Sequence, residues 1–454
     1  MIGRPAPVAA AADGVERALG RAGRWSIVRP GSLPVLLLVV VSCVSIGARV
    51  AWLGAPCHAP CRSSADHVLI FDERYYINAA RVIAGIRPPR GAPYADAPLG
   101  VDPNAEHPPL AKLIIAGSIE LLGDGPLAWR LGSVVMGTLA ILGMFVLVRG
   151  VGGGRWLAFA AAALMAADNL LIVHGRIGTL DVYALAAMVW AAALYVRGHP
   201  LAAGALTGIG LCAKVVVAYV LLAFVVYETL LWMRDRDRAG ARAWRVSSCI
   251  AVAGALFVGL MALLERVSAS FDDAAHKIVA GGPLGEIAHI FSYAAAQRSP
   301  HGPTGIASYP WGWLVDYKPI AYLNINPAKP APGLYGVYPA VHFLGLISPP
   351  ILLLALPALA LAGRQIFVHP FRANYELPAL AIAWVAGTFL PFVFFSLALH
   401  RTTYLYYMVV VMPGVYVAVA WLLPRLWRWR KLTVLWIAMV AIAAVIAYPL
   451  TPLP

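Results

Sequence analysis

The stretch LPVLLLVVVSCVSIGARVAWL, Leu33–Leu53, decides the class of this chain. A single charge, Arg49, interrupts a run that is otherwise apolar or small. About twenty such residues, wound as a helix, cross the ~30 Å hydrocarbon layer of a bilayer. Of 454 residues, 61% are hydrophobic and 12% charged, a composition that no single water-soluble core can hide. Further apolar windows fall near Leu127–Val148, Trp156–Val173, Leu180–Val196, Leu201–Cys212, Val215–Trp232, Val246–Leu264, Val341–Ala362, Leu377–Leu399, Tyr404–Leu423 and Leu432–Tyr448. The reading is an all-α polytopic membrane protein of about eleven transmembrane helices. The two short windows around Lys214 also read as one re-entrant pair. The first window is too long for a cleavable signal peptide and is expected to stay as an anchor.

Basic residues orient the chain. Arg4, Arg17, Arg21, Arg24 and Arg29 precede the first window, and later clusters sit at 149–155, 197, 234–245, 364–372 and 425–431. With eleven spans and a cytoplasmic N-terminus, every cluster lands inside. Residues 1–30 then form a mobile cytoplasmic tail and 31–454 one multispanning domain. Its long extracytoplasmic loops cover about 54–126 and 265–340, with short interfacial helices, and the C-terminus is extracytoplasmic. The net charge of +14 is spread over separate loops, so it points to the bilayer surface and not to nucleic acid. Cys57 and Cys61 lie in the first outer loop, where a disulfide is permitted; a metal site with His58 is the weaker alternative, because no second ligand pair is spaced for it.

Chemistry is expected in those loops. Asp72 and Glu73 form an acidic pair in FDERYY, 71–76. Glu106 and His107 open EHPPLAK, where the prolines hold the backbone extended and then admit a helix. Arg176, between Asp168 and Asp181, is an ionisable group at a membrane edge, suited to a phosphate or to a salt bridge with either acid. The second loop carries His289, Arg298, His301 and SYPWGW with Trp311 and Trp313. Arg401 and Tyr404 fall in HRTTYLYY, whose tyrosines also read as an interfacial belt.

In this order FDERYY, EHPPLAK, DNLLIVHGRIGTLD, HGPTGIASYPWGW and HRTTYLYYMVVVMPG resemble the protein O-mannosyltransferases, which belong to the multispanning glycosyltransferases with a GT-C fold. The resemblance implies an inverting transfer of a sugar, mannose first among the choices, from a polyprenyl phosphate to Ser or Thr hydroxyls of exported proteins. It implies Asp72 as the base, with Glu73 holding the acceptor or tuning its neighbour. Arg176 would clamp the donor phosphate, aided by Lys214 or Arg401. Glu106, His107, Asp168, Asp181, His301, Trp311 and Tyr404 would shape the donor and acceptor pocket. No metal is expected, since Arg176 supplies the positive charge, although Asp72, Glu73, Glu106 and His107 could bind a divalent cation. A related transferase with a lipid or cell-wall glycan acceptor, like the aminoarabinose transferases, is the alternative within the class. A lipid-linked sugar flippase is the alternative outside it.

Overall fold

The computed structural model describes residues 32–56, 69–325, 341–368 and 375–450. The N-terminal tail and the Cys57–Cys61 pair lie outside the described residues. Helix α1, Leu33–Val50, realises the opening stretch, with Pro34 in its first turn where a missing N–H costs nothing. Two short helices follow in the first long loop, α2 over Glu73–Ile83 and α3 over Leu110–Leu122. The bundle continues with α4, Pro126–Gly150, and α5, Arg155–Ala167. The six-residue α6, Asn169–His174, leads to α7, Asp181–Val196. Then come α8, Pro200–Leu211, a 3₁₀ turn over Val215–Ala218, α9, Tyr219–Arg234, and α10, Ala239–Leu264.

The second long loop is not purely helical. It holds α11, Gly282–Ala296, and α12, Pro310–Trp313, but also two antiparallel pairs. Strand β1, Phe271–Asp272, pairs with β2, Lys277–Ile278, and β3, Ile320–Ile325, pairs with β4, Val341–Gly345. Residues 341–345, expected at the start of a span, are therefore sheet. The Tyr322-bearing strand needs a partner for its backbone, and the helix begins only at the Pro349–Pro350 pair. Helices α13, Pro349–Val368, α14, Glu376–Leu399, α15, Met408–Leu426, and α16, Arg430–Ile446, complete the described chain.

By length and composition, seven helical segments among the described residues can cross a membrane, and α5, α7 and α8 are shorter apolar helices. Helices α7 and α15 are buried on nearly every face and form the centre. Helix α16 turns Leu432, Leu435, Ile442 and Val445 outward, as a lipid-facing helix would. At one end the two long loops are stitched together. Asp102 bridges Ser270, Asn104 bridges Asp272, and Arg298 bridges Arg401. That stitched end carries the candidate site.

Candidate active site

Phe71 turns the chain into α2 from a left-handed backbone, φ +55°, a conformation costly for a residue with a Cβ. Its ring is held by stacking on Tyr322 at 4.2 Å and by an edge contact with Tyr406 at 5.6 Å. The next two residues diverge. Asp72 sits at the helix N-cap without bonding its own helix and is half-buried. Burial pushes its carboxyl up to about 7, with Lys214 opposing the rise and Asp181 adding to it.

Glu73 is fully enclosed and committed. Its two oxygens accept Arg130 Nε at 2.8 Å and Arg130 Nη2 at 2.7 Å, a paired fork. They also accept the Ile70 N–H at 2.8 Å and the Gly178 N–H at 2.6 Å. A carboxylate with four donors has nothing left for an acceptor, so the expectation that Glu73 holds substrate does not fit this geometry. Glu73 joins α2, α4 and the turn before α7.

Arg176 is likewise spent. Its guanidinium donates to the carbonyls of Ala48, Ala51 and Trp52, at 3.3, 2.9 and 3.2 Å, and to the Tyr448 hydroxyl at 3.2 Å. It caps the C-terminal end of α1, where a helix leaves carbonyls without partners and favours positive charge. It lies at the same end of the molecule as Asp72, because Gly178, two residues on, donates to Glu73. Its place is nonetheless structural, and the expected phosphate clamp must be found elsewhere.

Lys214 and Arg401 are better placed. Helix α8 stops at Leu211, and Lys214 adopts an extended backbone between α8 and the 3₁₀ turn. Its ammonium reaches Asp181 Oδ1 at 2.7 Å and lies 5.7 Å from the Tyr406 ring centre. Asp181 occupies the first turn of α7, with His174 Nδ1 at 4.0 Å from its other oxygen. His174 in turn contacts the Thr179 hydroxyl at 3.2 Å and the Tyr322 hydroxyl at 2.9 Å. Arg401 reaches the Ala294 carbonyl, and its charge, with those of Lys214 and Lys112, adds to burial in holding His107 well below the usual imidazole range.

His107 is therefore a neutral imidazole, 5.8 Å from the Tyr76 ring, and its carbonyl accepts Lys112 Nζ at 2.8 Å. Lys112 pairs with Asp102 at 2.6 Å, both fully buried. Glu106 accepts Asn104 Nδ2 at 2.7 Å, and burial raises its carboxyl. Tyr404 stacks on Tyr406 at 5.5 Å and feels the Asp72 charge. Of these residues Lys214, Asp181 and Tyr404 interact with Asp72, as do Tyr76, Tyr322 and Tyr406.

Four others lie apart. Asp168 accepts the Leu170 N–H, the Ser348 N–H and the Tyr416 hydroxyl, so it ties α5, α13 and α15 and leaves the expected pocket. His301 stands on the exposed surface of the second loop. The two tryptophans separate: Trp313 is fully buried, donating to the Ser308 hydroxyl at 2.9 Å, whereas Trp311 is exposed and stacks on Tyr309 at 4.5 Å. Arg130, Asp102, Lys112 and Tyr322 went unassigned from sequence. Arg130 stands as a charge near the start of the window Leu127–Val148 and Lys112 closes the EHPPLAK motif, the signals that were available.

The profile of the dolichyl-phosphate-mannose-protein mannosyltransferases matches residues 106–262. A polyprenol-phosphate-mannose–protein mannosyltransferase of Corynebacterium glutamicum is 25% identical over 430 residues, covering 82% of this chain and 80% of that protein. One from Mycolicibacterium smegmatis is 23% identical over 371 residues, 70% of each chain. The chain is thus similar to the protein O-mannosyltransferases. Its fold agrees. A chain of the Saccharomyces cerevisiae Pmt1–Pmt2 complex bound to the sugar donor superimposes with a TM-score of 0.68 at 11% identity, over 94% of this chain and 91% of that one. ArnT from Cupriavidus metallidurans gives 0.56 at 21% identity, over 91% of this chain and 64% of that one. With seven apolar helical segments among the described residues, the chain is a multi-pass membrane protein that shares the fold of these glycosyltransferases.

Proposed function

We propose that the chain transfers mannose from a polyprenyl-phosphate donor to Ser or Thr hydroxyls of exported proteins, with inversion at the anomeric carbon. The observation that carries this reading is Asp72, an acid poised near neutral pH, opposite the Lys214–Asp181 pair, in a chain similar to the protein O-mannosyltransferases. The incoming hydroxyl gives its proton to Asp72 as its oxygen bonds to C1 of the sugar. The bond from C1 to the phosphate oxygen breaks, and the lipid phosphate leaves carrying the electron pair. Lys214 and Arg401 stabilise that developing charge, and Asp181 holds the Lys214 ammonium in place. His107 stays neutral and shapes the pocket with Glu106 and Tyr404.

The spans number about eleven in this reading, with the N-terminus cytoplasmic and the Asp72 end extracytoplasmic. In this reading the positive charge comes from Lys214 and Arg401, and no metal is required. The deciding experiment incubates purified protein with labelled polyprenyl-phosphate mannose and a Ser/Thr peptide. O-mannosylated peptide is expected. Label appearing only in lipid or glycan would transfer the reading to the aminoarabinose-transferase-like acceptor class, and donor translocation without bond cleavage would overturn it.

A further inference from the structure

The end of the bundle remote from Asp72 holds a second polar centre that sugar transfer does not use. Glu228, nine residues along α9 from Tyr219, lies ~14 Å farther down the helix. It is 4% exposed and accepts Arg242 Nη1 at 2.9 Å and the Tyr195 hydroxyl at 3.1 Å, with Arg245 Nη1 ion-paired at 2.9 Å. Glu228 faces two guanidinium groups, and Arg242 Nη2 also lies 3.9 Å from Asp235 Oδ2. Arg242 and Arg245 each keep a buried Nε with no partner among the described residues. From Glu228 to Arg245 the chain carries five arginines against three acids, so this end stays cationic.

Beside this centre a groove of about 400 Å³ opens between α9 and α10. Val225, Trp232, Val246 and Ile250 form its apolar walls, and Arg242, Ala243 and Glu228 line it as well. Val225, Trp232 and Ile250 are each about two-fifths exposed, so the groove opens on the outside of two membrane-spanning helices. What lies outside such helices is the acyl layer. The arginines and Trp232 mark its polar border, where interfacial aromatics and headgroup phosphates sit. Arginine, with a planar fork, is the side chain suited to a phosphate diester at that depth.

We propose that this groove binds one anionic phospholipid. An acyl chain lies along Val225, Val246 and Ile250, and the phosphate meets Arg242 and the basic turn that follows α9. The site is separate from the donor cleft and requires no part of the transfer reaction.

The test is native mass spectrometry of the full-length protein released from nanodiscs holding equal phosphatidylglycerol and phosphatidylcholine. One phosphatidylglycerol is expected to be retained over phosphatidylcholine by about fivefold for each arginine engaged. Ala243→Phe, which fills the groove and keeps every charge, abolishes that preference, as does the paired change Glu228→Gln with Arg242→Gln, while peptide mannosylation persists. Should Ala243→Phe fail to fold, Ile250→Trp at the mouth gives the same readout. Equal retention of both lipids, or an unchanged preference in the filled groove, overturns the proposal. So does displacement of phosphatidylglycerol by an equal concentration of undecaprenyl phosphate, which would make the groove a polyprenyl site.

Discussion

Asp72 and Glu73 are neighbours with opposite fates. Glu73 is sealed in a knot with Arg130 and two backbone amides, its charge fully answered. Asp72 is answered at a distance by Lys214 and keeps its proton until near neutrality. The same contrast divides the cations: Arg176 is consumed by the end of α1, whereas Lys214 stands on a helix break beside the aromatic cleft. The proposed reactive groups are thus the incompletely satisfied ones, and the saturated partner provides the rigidity that makes incompleteness tolerable.

The largest effect that tests this contrast is Asp72→Asn. Turnover should fall by ~10²–10⁴, the usual share of a general base, with donor affinity and thermal stability nearly unchanged. A variant that retains turnover would move the base elsewhere. Lys214→Gln should lower kcat by about 10²–10³, the scale for losing one donor to a developing oxyanion. The wild-type rate should rise with pH through about 7, since Asp72 must be deprotonated to act. Removing Lys214 takes away the charge that lowers the Asp72 value, so the midpoint of that profile should move to higher pH.

Glu73→Gln, in contrast, should be read in stability. It leaves Arg130 without a counter-charge in a buried site, a loss of about 3–5 kcal/mol. Thermal unfolding in detergent checks it, and a folded Glu73→Gln with a raised peptide KM would instead restore an acceptor role. Arg176→Gln should cost about 1–3 kcal/mol through unpaired carbonyls and leave the donor KM unchanged. A donor KM raised more than tenfold would return Arg176 to the phosphate. The smallest expected effect is that of EDTA, which should leave transfer intact; inhibition reversed by Mg²⁺ or Mn²⁺ would place a cation where Lys214 and Arg401 are proposed to act.

The class and most helix positions were legible because lipid imposes one simple rule, about twenty apolar residues per crossing, that a window can read. The departures have physical reasons. Val341–Gly345 is as apolar as a span, and only the pairing with Ile320–Ile325 makes it a strand. Asp72 was legible as an acid placed just before a helix beside an apolar domain. The roles of Glu73, Arg176 and Asp168 were not, because each depends on partners far along the chain: Arg130, the end of α1, and the Ser348 amide with Tyr416. Sequence shows which groups carry charge; only the fold shows whether that charge is already used.

The left-handed Phe71 ties the two outer loops to a common fate. A backbone setting that costs on the order of 1–2 kcal/mol is secured by Tyr322, from a segment synthesised long after it. During biogenesis the proposed base, Asp72, therefore has no fixed position until most of the polypeptide has emerged and β3 has docked. A partly translated chain already inserted in the membrane would hold the acid but not the aim, and so would leave passing lipid-linked sugars untouched.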